Sequence, residues 1–173
     1  MTGVARVEAW VRDFDGLVRL HRAMVFSLAY HFLHDRGLAE EVAQEVFWSL
    51  HRNLATVQSE THALFWLRQA TVRRAIDEAR RRRRRPQIAL EDVAEPAAGA
   101  SGRDPMLGDV LRRLIAVLPE DPRMVMVLRY QEDLDPPEIA ELLEMPLATV
   151  KSHLHRSLAV LREKLARRGL GEA

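Results

Sequence analysis

Residues 134–158 decide the fold, and they read LDPPEIAELLEMPLATVKSHLHRSL. The stretch opens with Asp135 and two prolines, a capping residue followed by two residues that the first turn of a helix accepts. Apolar residues then recur at helical spacing to Leu143, a turn follows at 144–146, and a second apolar series begins at Leu147. A short helix, a three-residue turn and a longer helix are the outline of a helix-turn-helix, which predicts DNA binding.

Charge is divided between the two helices of this motif. Residues 132–145 contain six acidic and no basic side chains, whereas residues 151–168 contain six basic and one acidic. The basic helix stands where a recognition helix would meet base edges and phosphates. Its candidate DNA contacts off the leucine stripe are Lys151, Ser152, His153, His155 and Arg156. An ordinary pair of amphipathic helices in a bundle is the alternative interpretation.

Upstream of this motif, apolar spacing predicts three more helices. The first is expected at Phe14–Leu33 with Gly37 as its stop, the second at about 39–54, and the third from about Thr61 into the arginine run 80–85. Pro86 should end the third helix, because the residue before a proline disfavours helical dihedral angles.

The middle of the chain reads as a linker between two domains. Residues 86–105, PQIALEDVAEPAAGASGRDP, hold three prolines and two glycines without apolar periodicity. Two further helices are predicted beyond it, at about 106–118 and 122–131. We therefore expect an all-α protein with two small helical domains, 1–85 and 107–173, joined by a flexible linker at 86–106.

The arginine run is the strongest charge feature of the chain. Arginine makes up 24 of the 26 basic residues, and six of them are consecutive at 80–85. The planar guanidinium group binds phosphate and carboxylate groups through two parallel hydrogen bonds, so the run favours recognition of one of these. A solvated helix end, in a protein encoded by arginine-biased DNA, would produce the same run.

Composition excludes several kinds of site. The chain has no cysteine, which excludes disulfides, thiolate zinc sites and a cysteine nucleophile. Its apolar stretches are far shorter than the ~20 residues that span a bilayer. Its seven histidines lack the carboxylate or cysteine partners of a metal site, and the sequence contains neither a phosphate-binding glycine loop nor a GxSxG elbow. We expect a cytoplasmic protein without membrane insertion, metal, cofactor or enzymatic activity.

Several segments together resemble one family. In the C-terminal half they are 118–120 (LPE), 127–130 (VLRY), 138–143 (EIAELL) and 148–156 (ATVKSHLHR). Regulators of the LuxR type share part of that pattern, so the N-terminal half decides. There the segments are 39–47 (AEEVAQEVF), Trp66-Leu67, and Ala75-Ile76-Asp77 before the arginine run. The chain resembles an extracytoplasmic-function sigma factor, the minimal bacterial class with only the second and fourth sigma domains.

The resemblance implies three partners: the bacterial RNA polymerase core, promoter DNA and an anti-sigma factor. Residues implied to bind basic clamp helices of the largest polymerase subunit are Glu40, Glu41, Gln44, Glu45 and Phe47. Those implied to bind and open the minus-ten element are Asn53, Gln58, Ser59, His62, Arg73, Arg74, Asp77, Arg80 and Arg81. Thr149 joins the five recognition-helix residues at the minus-thirty-five element. A solvated acidic face is the alternative for the first set.

The sequence departs from the family pattern at three positions. Family members usually carry an acid where Leu38 stands, an asparagine at Arg73 and a glycine at Glu144. A non-glycine residue in the left-handed conformation costs of order 1 kcal/mol, so Glu144 must either bear that cost or use another turn.

The predicted function is that of an alternative sigma factor. It would bind the polymerase core and direct promoter-specific transcription initiation, as in a stress response, under the control of an anti-sigma factor. Two alternatives stay open. One is a stand-alone helix-turn-helix regulator that binds duplex DNA without polymerase; the other is a helical adaptor whose arginine run binds acidic proteins.

Overall fold

A computed structural model describes residues 13–84 and 113–167 of the chain. Within these ranges every regular element is a helix and none is a strand, which confirms the all-α class. The helices are α1 (Phe14–Leu33), α2 (Arg36–Asn53), a 3₁₀ turn (Leu54–Thr56), α3 (Glu60–Arg84), α4 (Glu120–Tyr130), α5 (Pro136–Leu143) and α6 (Leu147–Ala166). Residues 113–116 are also helical.

The chain divides into two compact units between Glu78 and Ala79. The linker predicted at 86–106 lies outside the described residues, as do the first half of the helix predicted at 106–118 and Arg85 of the arginine run. The predicted domain limits of 1–85 and 107–173 stay predictions.

In the N-terminal unit, α1, α2 and the start of α3 bury one face each in a common core. The buried apolar members of that core are Leu17, Val25, Ala29, Ala39, Val42, Val46, Leu50, Val57, Ala63 and Leu67. Their spacing of three and four residues along each helix is the amphipathic pattern that the sequence predicted. Removing these side chains from water is the main free-energy gain that holds the helices together.

The prediction that Gly37 ends the first helix is wrong, because α1 ends at Leu33 with His34 as its C-cap. His34 adopts the left-handed conformation, with φ of 56°, and its N–H donates to the carbonyl of Tyr30 at 2.8 Å. Asp35 then caps α2, because its carboxylate accepts the Leu38 N–H at 3.0 Å. Asp35 thus satisfies one of the backbone N–H groups that have no partner within the first turn of a helix. α2 therefore begins at Arg36, three residues earlier than predicted, and Gly37 lies in its first turn.

The cap of α3 was also misplaced by the sequence prediction. The helix begins at Glu60 rather than Thr61. Ser59 provides the cap, since its hydroxyl oxygen accepts the N–H of His62 at 3.1 Å.

The C-terminal unit contains the predicted helix-turn-helix, which is confirmed. Asp135 and Glu138 form a reciprocal capping box at the start of α5: Asp135 accepts the Glu138 N–H at 2.9 Å, and Glu138 accepts the Asp135 N–H at 2.7 Å. α6 packs against both α4 and α5. One buried cluster of this unit is Leu114, Leu118, Met126 and Leu161. α4 begins at Glu120, two residues before the predicted start, after Pro119 as its N-cap.

No helix within residues 13–84 and 113–167 has the length and apolar character needed to cross a membrane.

Glu144 occupies the turn of the helix-turn-helix in the left-handed conformation, with φ of 53° and ψ of 40°. Its N–H donates to the carbonyl of Glu141 at 3.2 Å, and the Met145 N–H donates to that of Ala140 at 3.0 Å. These bonds close the end of α5 as a glycine cap would, but a side chain is present where glycine carries no steric penalty.

We predict that Glu144→Gly stabilises the C-terminal unit by about 0.5–1 kcal/mol, because the left-handed strain is removed at some cost in unfolded-state entropy. Amide hydrogen exchange of α5 in the full chain should slow accordingly. Glu144→Ala is the control, since it removes the side-chain charge and keeps the strain. Equal exchange rates in the glycine and alanine variants would contradict the prediction.

His21 is a titratable group inside the N-terminal unit. Its side chain on α1 is 6% exposed, and its Nε2 atom has no hydrogen-bond partner within the described residues. Burial lowers the pKa of His21; Glu60 opposes this shift and Arg68 adds to it. The folded unit therefore prefers the neutral imidazole.

This burial predicts a loss of stability in mild acid. Below about pH 6.5 the unfolded chain gains a proton on His21 that the folded chain accepts only at lower pH, so stability falls as the pH drops through the lowered pKa. All three tryptophans, Trp10, Trp48 and Trp66, precede residue 85, and their fluorescence in urea follows this part of the chain. We expect the wild-type midpoint to fall more between pH 7 and pH 5 than that of His21→Leu.

The exposed His155 of the C-terminal unit is the control, because His155→Gln lies outside the unit that the tryptophans report on and should leave the pH dependence of their fluorescence as in the wild type. A His21→Leu variant whose midpoint falls as steeply as the wild type would show that His21 contributes nothing to acid sensitivity.

Candidate functional site

The outer face of α2 is acidic. Ala39, Val42, Val46 and Leu50 are buried, and this fixes the opposite side of the helix toward solvent. Four predicted residues on that side are exposed: Glu40, Glu41, Gln44 and Glu45. Phe47, the fifth residue of the predicted set, is half-buried and packs against the core. The exposed part of the set is therefore polar and mostly anionic, a surface suited to a basic partner.

Two of these carboxylates already have ion-pair partners. Arg36 Nε donates to Glu40 Oε1 at 3.0 Å within α2, and Arg74 Nη1 of α3 donates to Glu45 Oε2 at 2.6 Å. Glu41 makes no ion pair with any residue in the described ranges. Glu41 is thus the acid of this face whose charge is least compensated.

The pair between Glu45 and Arg74 joins two residues that the sequence assigned to different sites. Glu45 was predicted to bind a protein and Arg74 to bind DNA, yet their side chains meet across α2 and α3. The side chains are 60% and 33% exposed, and pairs in such positions contribute about 0–1 kcal/mol. The two candidate surfaces adjoin at this pair.

Trp48 belongs to the same outer face, although it was not among the predicted site residues. Its side chain is 64% exposed, and it follows Glu41 by seven residues and Gln44 by four. This spacing places the three side chains on one stripe of α2. The signal was present in the sequence as a tryptophan on the polar side of an amphipathic helix.

The loop before α3 uses much of its polar chemistry locally. Asn53 Nδ2 donates to the Ser49 carbonyl at 2.8 Å. Besides the Ser59 cap, His62 Nδ1 accepts the Gln58 N–H at 3.2 Å. Nδ1 as acceptor implies that the hydrogen of the neutral ring is on Nε2. The exposed Gln58 amide and the His62 Nε2–H are the groups of this loop best able to meet a base edge.

α3 provides a basic surface on the side away from its buried residues. Thr71, Val72 and Ala75 are buried. Arg73, Asp77, Arg80 and Arg81 are exposed, and Arg74 is half-buried. Residues 73, 77, 80, 81 and 84 share one face by helical spacing. Asp77 is the single acid among them, so the face has a net positive charge.

α6 presents the predicted recognition residues at its N-terminal half. Val150, Ser157 and Leu161 are buried. Lys151, His155 and Arg156 are exposed, whereas Thr149, Ser152 and His153 are half-buried. Pro146, the N-cap of α6, makes no side-chain capping hydrogen bond.

These residues also differ in their angular position around the axis of α6. His153 lies three residues after Val150 and four before Ser157, which places it beside the buried stripe. Ser152 and Arg156 are four residues apart on one stripe of α6, with Thr149 one turn earlier. Arg156 is the exposed member of this stripe, and together with the exposed Lys151 and His155 it is best positioned to enter a groove.

Within the part of the chain that the structure describes, no three histidine, cysteine, aspartate or glutamate side chains are grouped so that they could hold a metal ion.

Two family models match the chain. Residues 17–85 match Sigma-70 region 2, and residues 108–161 match Sigma-70, region 4. The first match contains all of α2 and α3, and the second contains α4, α5 and most of α6. The matches therefore cover all three candidate surfaces, those of α2, α3 and α6.

Curated relatives extend the similarity across both halves. The chain is 26% identical over 167 residues to the ECF RNA polymerase sigma factor SigW of Bacillus subtilis, with 88% of each chain covered. It is 30% identical over 161 residues to the RNA polymerase sigma-H factor of Pseudomonas aeruginosa, covering 84% of this chain and 82% of that one. It is 29% identical over 167 residues to the RNA polymerase sigma-E factor of Streptomyces coelicolor, covering 92% and 90%.

Proposed function

Because this chain belongs to the extracytoplasmic-function group of the sigma-70 family, we propose that it binds bacterial RNA polymerase core through α2 and promoter DNA through α3 and α6. It is an alternative sigma factor that directs transcription initiation, and its family is non-enzymatic. The observation that carries the proposal is the exposed acidic face of α2 within the segment that matches region 2.

The polymerase contact is proposed to rest on charge. Glu40, Glu41 and Glu45 would face basic clamp helices of the largest polymerase subunit, with Gln44 between them. Opposite charge accelerates the encounter and selects the partner, because like-charged surfaces repel. Phe47, being half-buried, would support this face from beneath and contribute through α2 packing.

Promoter opening is proposed to use the loop before α3 and the basic face of α3. The guanidinium groups of Arg73, Arg80 and Arg81 would neutralise phosphates of the non-template strand, which offsets part of the cost of separating the strands. The Gln58 amide and the His62 Nε2–H would then meet the edge of an extruded minus-ten base. Asn53 and Ser59 would hold the loop in shape through their local hydrogen bonds.

Upstream recognition is proposed for α6. Its first turns would enter the major groove at the minus-thirty-five element, as recognition helices do. Lys151, His155 and Arg156 are exposed there and can contact phosphates. Arg156 would reach base edges, with the half-buried Thr149 and Ser152 on the same stripe and His153 at the margin of this surface.

Regulation and location follow from these partners. Polymerase and chromosome share the bacterial cytoplasm, so the chain would act there. An anti-sigma protein would hold it inactive by covering a polymerase-binding or DNA-binding surface, and its release would couple transcription to a stress signal.

Reconstitution tests the proposal. The purified chain is added to sigma-free polymerase core with fragmented genomic DNA, and transcript starts are mapped. Specific starts that require the chain support the proposal. Duplex binding by the chain alone, with no effect on core transcription, would instead identify a stand-alone helix-turn-helix regulator.

Charge reversal tests the polymerase surface. Glu41→Lys should weaken core binding at least 10-fold with little change in helix content, because this exposed acid has no ion-pair partner within the described residues. Glu45→Lys is a less direct test of the surface charge, since it also places a second positive charge beside Arg74. Combining it with Arg74→Glu restores the pair while keeping the reversed charge at position 45.

The control for these variants is Glu141→Lys, the same charge change at an exposed position of α5. Binding is measured by fluorescence anisotropy of labelled chain with core. If Glu41→Lys and the swapped pair bind core as tightly as Glu141→Lys, the acidic face of α2 is not the polymerase surface.

Substitutions on α6 test promoter recognition by holoenzyme. Lys151→Ala and Arg156→Ala should weaken binding to a minus-thirty-five duplex, each lost phosphate contact reducing the log–log salt slope by about one unit. His153→Ala should change sequence preference more than affinity if its ring reaches a base edge. Unaltered footprints and salt slopes in all three variants would mean that another part of the C-terminal unit reads the promoter.

A further inference from the structure

Trp48 is the most exposed of the large apolar side chains in the described ranges. It is 64% exposed on α2, ahead of Val117 at 60% and Tyr130 at 56%. A tryptophan side chain buries about 150–250 Å² when it is covered, so leaving it in water forgoes a large gain. Single exposed apolar residues are ordinary on protein surfaces, and the surroundings of Trp48 decide whether this one has a role.

Those surroundings are anionic on the N-terminal side of Trp48, whereas the exposed Arg52 lies one helical turn after it. Glu41, Gln44 and Glu45 precede Trp48 by seven, four and three residues, so the indole continues their exposed face by one helical turn. The indole lies opposite the buried Val46 and Leu50, whose packing turns this face of α2 toward solvent. An aromatic ring beside carboxylates is a surface for cations: the ring face attracts a guanidinium or ammonium group, and the carboxylates pair with it.

The indole also contacts a neighbouring ring of the same helix. It stacks on the His51 ring, with centroids 6.1 Å apart and an interplanar angle of 14°, and His51 in turn meets the edge of Phe14 of α1 at 5.0 Å and 82°. This chain of ring contacts connects Trp48 to α1. A side chain ordered before binding loses less conformational entropy on association, so more of its contact energy appears as affinity.

We propose that Trp48 is the apolar anchor of the polymerase-binding surface, with its indole packed between basic side chains of the polymerase clamp helices. The proposal rests on the polymerase contact proposed above for the acidic face of α2, and charge complementarity selects this occupant. Interfaces commonly depend on one such buried aromatic residue, surrounded by charged residues that contribute less to affinity. The acids would set the rate and specificity of encounter, and Trp48 the lifetime of the complex.

The experiment measures association and dissociation rates of the full chain with polymerase core. Trp48→Ala should raise the dissociation rate at least 30-fold and leave the association rate and its salt dependence within 2-fold, whereas Glu41→Lys should chiefly slow association and flatten its salt dependence. Trp48→Phe should retain most of the affinity, because a ring face remains. Leu20→Ala, at a 54% exposed apolar residue of α1, is the matched control and should bind as the wild type does.

The two variants together distinguish a failure of the Trp48 anchor from a failure of the proposed polymerase surface on α2. Loss of binding in Glu41→Lys with wild-type dissociation in Trp48→Ala would overturn the anchor and leave the polymerase surface standing. Wild-type rates in both variants would overturn both. Because Trp48 is exposed, its alanine variant should keep the wild-type circular dichroism and sedimentation. A wild-type dimer that Trp48→Ala dissociates would instead identify a second copy of the chain as the occupant and overturn the proposal.

Discussion

The rest of the N-terminal unit depends on the burial of one side of α2 against α1 and the start of α3. Val42, Val46 and Leu50 cannot leave this core without exposing their apolar surface, so the rotation of α2 about its axis is set. That rotation alone turns the acids at positions 40, 41 and 45 outward, together with Trp48. The proposed polymerase-binding surface needs no separate scaffold, because the same packing that folds the unit also orients this face.

Charge is then distributed so that neighbouring surfaces meet without repelling each other. The acidic face of α2 ends at Glu45, which pairs with Arg74 of α3. The basic face of α3 lies next to this pair. For the proposed function, separate faces of opposite charge would allow a basic protein partner and DNA to bind at the same time. The net charge of +1 conceals this arrangement, since acidic and basic groups nearly cancel over the whole chain.

The C-terminal unit tolerates a glutamate at a turn position where the family usually has glycine. Glu144 takes the left-handed conformation that a glycine would adopt without strain, and the end of α5 still closes through backbone hydrogen bonds. The capping box of Asp135 and Glu138 at the other end of α5 supports the same short helix. A helix of eight residues is marginal by itself, and these caps with the packing of Ile139 and Leu142 keep it in register with α6.

Helix positions, the helix-turn-helix and the sign of each surface were determined by the sequence itself, because they depend on the spacing of residues close in the chain. Helix ends were predicted less well: the stop assigned to Gly37 was wrong because His34 and Asp35 complete the junction first. Only the tertiary structure decided which polar groups are engaged, as with Glu45 and Arg74. The physical reason is that such engagements join residues far apart in the chain, 29 positions for Glu45 and Arg74, and depend on how helices pack rather than on local periodicity.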